Sequence, residues 1–387
     1  MTQKLYYKDS YIKEFTGCVL SVTVKNGVYS VELDRTAFFP DGGGQPSDTG
    51  VIGGAAVGHV EEIDGIIMHR LTEQPSFAVG DEVSCAIDWD KRFARMQAHS
   101  GEHLVSGIAH NLFGCGNVGF HMDDTLMTVD FDRYLSKEQL MQIEVAANRA
   151  VYENAKINCF FAAEKNYDKP YRSKLDNIQN PRIVEIEGYD ACACCAPHLS
   201  RTGEIGIIKI LSSASHRGGV RITLICGITA YKELADRYND ILTLSDMLCA
   251  PHDSVPEVLS SFLYKFNEMK RSEALHKSER LNAIADSTPV TDGNICLFVD
   301  DAGTDDIRKL FVRLKDKCKG FCIVLSGSEN DGYAYAVTSP CVKLRPYAAE
   351  FNSALSGRGG GKDDMLQGRF NAKKQEISDY FNSRSIE

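Results

Sequence analysis

The chain has 387 residues, of which 43% are hydrophobic and 25% charged, and this length predicts a globular protein with more than one hydrophobic core. The formal net charge of −10 excludes a protein that coats nucleic acid through many cationic contacts, and the 13 cysteines predict reduced thiols or metal ligands. The sequence has no run of about 20 apolar residues and no apolar signal core, which predicts a cytoplasmic protein without membrane contact.

The spacing of apolar residues predicts an α+β multidomain fold with four parts. Residues 1–89 alternate apolar and polar positions between Asn-Gly, Asp-Gly and Gly-Gly turns, which is typical of a small β-barrel. Residues 90–230 change to helical and then strand-like spacing and predict helices beside an antiparallel sheet. A helical hairpin or coiled-coil connector is expected over residues 231–286, and an α/β domain over residues 287–387.

The connector carries an apolar stripe in which heptads are not sustained. We therefore expect the stripe to pack within the chain, although a homodimer through the connector or the last domain stays open. The stripe consists of Leu234, Ile241, Leu244, Leu248, Leu259, Phe262, Phe266 and Met269.

Two separated motifs predict a zinc site. His99 and His103 stand four residues apart in a segment with helical spacing, which places both imidazoles on one face of a helix. Zinc readily accepts thiolate and imidazole ligands, so two histidines from the first motif and one Cys plus one His from the second would complete four ligands. The second motif concentrates its candidates between residues 192 and 198, namely Cys192, Cys194, Cys195 and His198.

The residues alone leave alternatives for this site. Residues 192–198 could form a small structural zinc site by themselves, or their cysteines could simply pack. A closed site with four ligands is usually structural, whereas hydrolysis needs an open position. Either one ligand is displaced when substrate binds, or zinc positions the substrate while another group activates water.

Five segments of the chain together resemble the AlaX family of freestanding alanyl-tRNA editing proteins, which are similar to the editing part of alanyl-tRNA synthetase. The last segment is similar to the glycine-rich signature of the DHH-associated C-terminal domain of that synthetase, as in the longer family members. In chain order the segments are Phe39–Asp48, His99–His103, Cys194–Gly206, Arg217–Ile222 and Ser356–Gly368.

This resemblance implies a trans-editing hydrolase that removes Ser, and potentially Gly, from mischarged tRNA(Ala) by zinc-assisted hydrolysis of the aminoacyl ester. It also implies the absence of aminoacylation activity, because the ATP-dependent domain would not fit upstream of residue 39. The interiors of the two zinc motifs depart from the family pattern, which leaves the amino-acid specificity open. The zinc ligands implied by the resemblance are His99, His103, Cys194 and His198.

Ester hydrolysis needs a positioned water and a stabilised oxyanion. We expect Gln45 to hydrogen-bond near the reacting carbonyl or the seryl hydroxyl, the alternative being a surface turn residue that follows three glycines. The seryl hydroxyl is a candidate contact for Ser100 and Thr36, each of which could instead be structural. The remaining candidate substrate contacts of this region are Gly42, Gly43, Gly44 and Arg221.

Glu102 supports a rival prediction. His99, Glu102 and His103 fit the HxxEH pattern of inverted zincins, in which the Glu is a general base for peptide hydrolysis. That interpretation needs a distal carboxylate as third metal ligand and leaves Cys194 and His198 without a role. A non-catalytic zinc-containing module that binds tRNA is the other alternative.

The glycine run Gly357–Gly361 is flanked by Arg358 and Lys362. Backbone amides and these two cations could cradle a phosphate backbone, whereas the alternative is a flexible linker. Together with the resemblance, the run predicts that the last domain contacts tRNA or forms a dimer.

Overall fold

The computed structural model describes residues 2–173 and 179–384. The chain forms two compact units, Met1–Leu244 and Ser245–Glu387. The segments predicted as a β-barrel and as a separate α+β domain therefore belong to one unit.

The first unit begins with a closed barrel of six strands in the neighbour order β2-β3-β7-β6-β5-β8, with β1 and β4 paired in parallel beside it. Its strands alternate buried and exposed residues, as expected when one face fills the barrel. The strands are β1 (Gln3–Lys4), β2 (Glu14–Lys25), β3 (Val28–Leu33), β4 (Arg35–Thr36), β5 (Gly50–Ile52), β6 (Ala55–Ile63), β7 (Ile66–Leu71) and β8 (Glu82–Ile87).

The rest of the first unit combines three helices with two antiparallel sheets, β14-β15-β10-β9 and β11-β12-β13. In chain order these elements are α1 (Trp89–Phe113), β9 (Asn117–Met122), β10 (Met127–Phe131), α2 (Lys137–Glu153), β11 (Ile157–Phe161), β12 (Arg182–Ile186), β13 (Asp190–Ala193), β14 (Ile208–His216), β15 (Gly219–Cys226) and α3 (Gly227–Leu248).

Helix α1 is the central element of this unit. Asp88 caps its first turn by accepting a hydrogen bond from the Lys91 backbone amide, and Gly114 ends it in the left-handed conformation. Both are regular helix boundary signals. Every residue from His99 to Ala109 is buried, so the polar side chains in this stretch must find partners inside the protein.

A buried ion pair joins α1 to the barrel. Arg92 is 1% exposed, and its Nε donates to Asp48 Oδ1 over 2.9 Å, while its Nη2 donates to the Ala37 carbonyl over 2.6 Å. Asp48 also accepts from the Phe39 amide over 2.6 Å. These contacts explain why the barrel and the helix form one unit.

The second unit contains a five-stranded sheet in the order β16-β17-β18-β20-β19. One of its two hydrophobic clusters packs α5 and the end of α4 against this sheet, and the other includes residues of α6 and α7. Its elements are α4 (Val255–Ser287), β16 (Ile295–Phe298), α5 (Thr304–Leu314), β17 (Cys322–Ser328), β18 (Gly332–Thr338), α6 (Tyr347–Ala354), β19 (Arg358–Gly361), β20 (Leu366–Phe370) and α7 (Lys374–Asn382).

Two sequence expectations about the connector and the last part are wrong. The apolar stripe was expected to pack inside the chain, but seven of its eight members are exposed and only Leu248 is half-buried. The glycine run is neither a loop nor a flexible linker, because Arg358–Gly361 is strand β19 and pairs antiparallel with β20. Gly359 is required there, since a Cβ would lie 2.2 Å from the Tyr335 hydroxyl.

None of the helices in the described ranges combines the length and apolarity of a membrane span.

We predict that Arg92→Met strongly destabilises the first unit. The substitution leaves the Asp48 carboxylate buried without its cation, which costs about 3–5 kcal/mol in comparable pairs. Urea unfolding followed by the fluorescence of Trp89, the single tryptophan, measures the loss. The control is Arg221→Met, which breaks a surface pair with Asp130 and should change the free energy of unfolding little. Equal effects of the two substitutions would contradict the assigned role.

Candidate metal centre

The structure brings His99, His103, Cys194 and His198 together. One potential ligand atom from each lies within 4.8 Å of all the others. The three histidines are at most 3% exposed, and their ring centroids are 4.6–5.3 Å apart. Two segments that are 95 positions apart along the chain, one on α1 and one after β13, thus meet at a single point.

A hydrogen-bond acceptor or a near neighbour lies beside the Nδ1 atom of each histidine. The Nδ1 of His99 is 2.8 Å from Gln45 Oε1, and the Nδ1 of His198 is 3.1 Å from Ser100 Oγ. The Nδ1 of His103 is 3.6 Å from Asp190 Oδ2. Such outer partners select the tautomer that leaves Nε2 for a metal ion.

The Nε2 atoms accordingly face the centre of the cluster. Cys194 Sγ lies 3.6 Å from His99 Nε2 and 3.4 Å from His198 Nε2. Burial lowers the pKa of His198, and the neighbouring His103 and His99 lower it further, whereas burial raises the pKa of the Cys194 thiol. Three imidazoles and a thiol in contact are a donor set that fits zinc.

Arg172 and Asp190 extend the support of His103. Arg172 donates to Asp190 through Nε over 2.7 Å and through Nη2 over 2.6 Å. Burial opposes ionisation of Asp190, but the hydrogen bonds from Arg172 and the proximity of His103 outweigh it and lower the pKa of the carboxyl. A carboxylate behind a metal-binding histidine fixes the orientation of its ring.

The glycine segment forms a tight turn against the cluster. Gly42 and Gln45 exchange backbone hydrogen bonds of 3.1 and 3.0 Å, and the two glycines between them have positive φ. A Cβ on Gly44 would lie 2.7 Å from a ring carbon of Phe120, whose ring is 4.9 Å from that of His99. The turn therefore places Gln45, which is 2% exposed, behind His99 rather than on the surface.

A cavity of about 1340 Å³ opens beside the cluster. Its described lining comes from the glycine turn, α1, β9, and the β11-β12-β13 sheet together with the loop between β11 and β12. The lining includes Gly43, Glu102, His103 and Cys194 beside the cluster, with the aromatic residues Tyr7, Phe161, Tyr167 and Tyr171 and the cations Lys169, Arg172 and Arg182.

The structure does not bring the hydroxyls of Ser100 and Thr36 to this cavity. Ser100 is fully buried and lies between His198 Nδ1 and the Leu199 amide, which donates to its Oγ over 3.2 Å. Thr36 is buried in the barrel, where its hydroxyl is 2.8 Å from His69 Nε2. Burial lowers the pKa of His69 to about 4, so the neutral ring accepts from Thr36.

The other predicted contacts fall into three groups. Gly42 and Gly43 lie near Cys195. A Cβ added to Gly42 would be 4.0 Å from the Cys195 Sγ, and a Cβ added to Gly43 would be 3.9 Å from it. Arg221 pairs across strands with Asp130 over 2.6 Å and is not among the described residues that line the cavity. Arg358 and Lys362 belong to the second unit.

Sequence reasoning missed the outer partners of the histidines. Asp190 had a readable signal, since Asp190 and Cys192 alternate along β13 and share a face. Arg172 had none, because it reaches the site from a segment whose position depends on the tertiary fold.

We predict that the purified protein binds about one zinc ion per chain. His103→Ala should weaken the zinc affinity by more than roughly 100-fold, because loss of a ligand costs more than loss of a residue that only supports a ligand. Metal content after dialysis against a competing chelator gives the measurement. His110→Ala, on the same helix but outside the cluster, should retain zinc. Full retention of zinc by the His103 variant would contradict the ligand set.

Comparison with known proteins gives two family matches. Residues 182–223 match the second additional domain of threonyl and alanyl tRNA synthetases, which includes β12, β13, Cys194 and His198. Residues 8–91 match class II (A) tRNA synthetases.

Longer similarities extend along the chain. The alanine–tRNA ligase of Pyrococcus abyssi is 31% identical over 95% of this chain and 42% of its own length, and that of Methanobrevibacter smithii is 30% identical over 95% and 44%. The solved C-Ala domain of Aquifex aeolicus alanyl-tRNA synthetase covers 25% of this chain and 97% of its own, with 19% identity and a TM-score of 0.21.

The chain thus spans less than half the length of the alanine–tRNA ligases that it matches. Along 95% of its length, this chain is similar to part of these two alanine–tRNA ligases.

Proposed function

We propose that the chain is a zinc-dependent hydrolase that deacylates tRNA(Ala) mischarged with Ser or Gly. The observation that carries the proposal is the convergence of His99, His103, Cys194 and His198 at the edge of a large cavity, in a chain related to alanyl-tRNA synthetases. A synthetase pocket built for a methyl group rejects a slightly larger side chain weakly, so a second hydrolytic site is useful.

When bound by these four residues, zinc supplies Lewis-acid stabilisation of charge on the ester carbonyl. The chain's own residues prepare the site for that chemistry. Gln45, Ser100 and Asp190 hold the three imidazoles through their Nδ1 sides, so the geometry of the Nε2 atoms is set before substrate arrives. Preorganisation of this kind avoids reorganisation during the reaction.

Gln45 has a second available group. Its Oε1 lies against His99, and its Nε2 is buried with no hydrogen-bond partner among the residues that the structure describes. An unsatisfied buried amide is unfavourable, and it becomes satisfied when an oxygen of the substrate accepts from it. The seryl hydroxyl and the ester carbonyl are the candidate acceptors, although Gln45 itself is not among the described residues that line the cavity.

The cavity suits the 3′ end of an RNA. Aromatic faces stack on bases, and cations attract the phosphate backbone. Tyr7 and Phe161 are in edge contact with centroids 5.5 Å apart, and the Arg182 guanidinium lies 5.3 Å from the Tyr7 ring centre. These three residues line the cavity beside Cys194 and would hold the terminal nucleoside next to the ester.

The two alternative functions have weaker support. An inverted-zincin metallopeptidase needs a carboxylate as third ligand. The cluster found among the described residues instead completes His99 and His103 with Cys194 and His198. A non-catalytic RNA-binding module gives no reason for an unsatisfied amide of Gln45 beside the cluster.

The deciding experiment is deacylation of Ser-, Gly- and Ala-tRNA(Ala) by the zinc-loaded protein. We expect hydrolysis of the Ser and Gly esters, retention of the Ala ester, and loss of activity after chelation with recovery on addition of zinc. A peptide panel should remain intact. Intact Ser-tRNA(Ala) and Gly-tRNA(Ala) in the presence of zinc would refute the proposal.

Gln45→Ala should lower the deacylation rate by roughly 10- to 100-fold, because it removes both the partner of His99 and the unsatisfied amide. Single-turnover kinetics with Ser-tRNA(Ala), together with zinc content, measure the two losses. The matched control is Gln142→Ala at an exposed position of α2. A parental rate in the Gln45 variant would remove this residue from the mechanism.

The second unit is proposed to contact the tRNA backbone through β19. Arg358 lies directly opposite Arg369 on β20, and both are exposed. Like charges across a strand pair are unfavourable, and a bound phosphate relieves their repulsion. Lys362, also exposed, follows β19.

Replacing Arg358 and Lys362 together by Ala should weaken tRNA binding and reduce the slope of log affinity against log salt by roughly one for each lost phosphate contact. Filter binding of tRNA(Ala) at several salt concentrations provides the slope. Lys319→Ala, which removes an exposed cation paired with Asp292 in the same unit, is the control. An unchanged slope in the double variant would show that β19 does not touch the RNA.

A further inference from the structure

Glu102 is a buried carboxylate on the wall of the cavity. It is 4% exposed and lies on α1 next to His103. Its Oε1 accepts from Ser106 Oγ and from Asn117 Nδ2, each over 2.5 Å. One oxygen of the carboxylate is therefore held firmly by two donors from the protein.

The other carboxylate oxygen of Glu102, Oε2, lacks such donors among the described residues. Glu102 Oε2 lies 3.9 Å from His103 Nε2, the nitrogen that faces the cluster. Within residues 2–173 and 179–384, no donor forms a hydrogen bond to this oxygen. This oxygen is not among the fully enclosed polar atoms that lack a hydrogen-bond partner, so it is accessible from the cavity, where water or a ligand can donate to it.

The cations that line the cavity are already engaged. Arg172 is held by Asp190 in a bidentate pair, and Lys169 lies 3.2 Å from Glu185. Arg182 donates to two backbone carbonyls, those of Cys194 and Ala196. The missing donor is therefore expected to belong to the ligand.

We propose that Glu102 Oε2 accepts a hydrogen bond from the α-amino group of the aminoacyl ester, an inference that rests on the proposed function. The α-amino nitrogen is bonded to the carbon next to the ester carbonyl, so a carboxylate beside the cluster reaches it while the carbonyl faces the ligands. Glu102 thereby restricts the substrate to esters with a free amino group and excludes N-acylated and peptidyl esters.

Two other roles would explain the same residue. Glu102 could bind the metal itself as a further ligand, or it could only brace α1 through Ser106 and Asn117. The cluster of ligand atoms forms without Glu102. The two roles predict, respectively, loss of zinc and loss of stability in a Glu102 variant, and neither predicts a change in preference between amino-free and N-acylated ligands.

The test uses two non-hydrolysable probes, 3′-(L-serylamino)-3′-deoxyadenosine and its N-acetyl derivative, titrated calorimetrically into the full zinc-loaded chain. The wild type should bind the amino-free probe about 10- to 100-fold more tightly, as for a charge-assisted hydrogen bond. In Glu102→Gln this ratio should fall close to one, while the zinc content and the affinity for the N-acetyl probe stay unchanged. Glu185→Gln, which removes the same charge elsewhere on the lining, should keep the ratio.

Several results overturn the inference. These are no binding of the amino-free probe by the wild type, equal binding of both probes, an unchanged ratio in Glu102→Gln, and loss of zinc from that variant. Deacylation of Ser-tRNA(Ala) by the wild type is measured in parallel. If the wild type deacylates and the ratio does not respond to Glu102, only this inference fails; if it does not deacylate, the proposed function itself fails.

Discussion

The buried pair of Arg92 and Asp48 is the contact on which the rest of the first unit depends. It fixes α1 to the segment that leaves the barrel, with Nε and Oδ1 2.9 Å apart and both side chains almost fully excluded from solvent. His99 follows Arg92 by two helical turns, and Gln45 precedes Asp48 by three residues. The 2.8 Å contact between His99 and Gln45 is therefore a direct result of where this ion pair places the helix.

From that fixed point the site is assembled from segments that are far apart in sequence. Helix α1 supplies two histidines and Glu102, the turn between β4 and β5 supplies Gln45, and the strand β13 region supplies Asp190, Cys194 and His198. Each histidine has its own neighbour beside Nδ1, and the three neighbours differ in chemistry. They are an amide oxygen for His99, a hydroxyl for His198 and a carboxylate for His103. The three rings are thus held independently, and one can be altered without releasing the others.

The local parts of this arrangement could be predicted from the sequence. The i and i+4 histidines on one helix, the strand alternation in residues 1–89 and the glycine turn before Gln45 are all short-range patterns with a physical cause. The pairing of the two separated motifs was indicated by their ligand types and by the family resemblance, although residues 192–198 could also have formed a zinc site by themselves.

The remaining features depend on tertiary contacts. The sequence does not show that Ser100 and Thr36 are enclosed within the protein, because burial of a hydroxyl depends on what packs over it. The glycine run was interpreted as loop or linker because glycine is rare within strands, yet Gly359 is needed where β19 passes over Tyr335. The contact of Arg92 with Asp48, which joins α1 to the barrel, has no short-range pattern in the sequence.

The union of two distant motifs has a consequence for the folding equilibrium. Residues 99 and 194 are separated by 95 positions, so an ion held between them closes a long loop whose entropy is large in the unfolded chain. An unfolded chain lacks the assembled ligand set and binds the ion far more weakly. If the ion is bound as proposed, the stability of the first unit would rise with the logarithm of its free concentration, so the availability of the ion would influence how much folded protein persists.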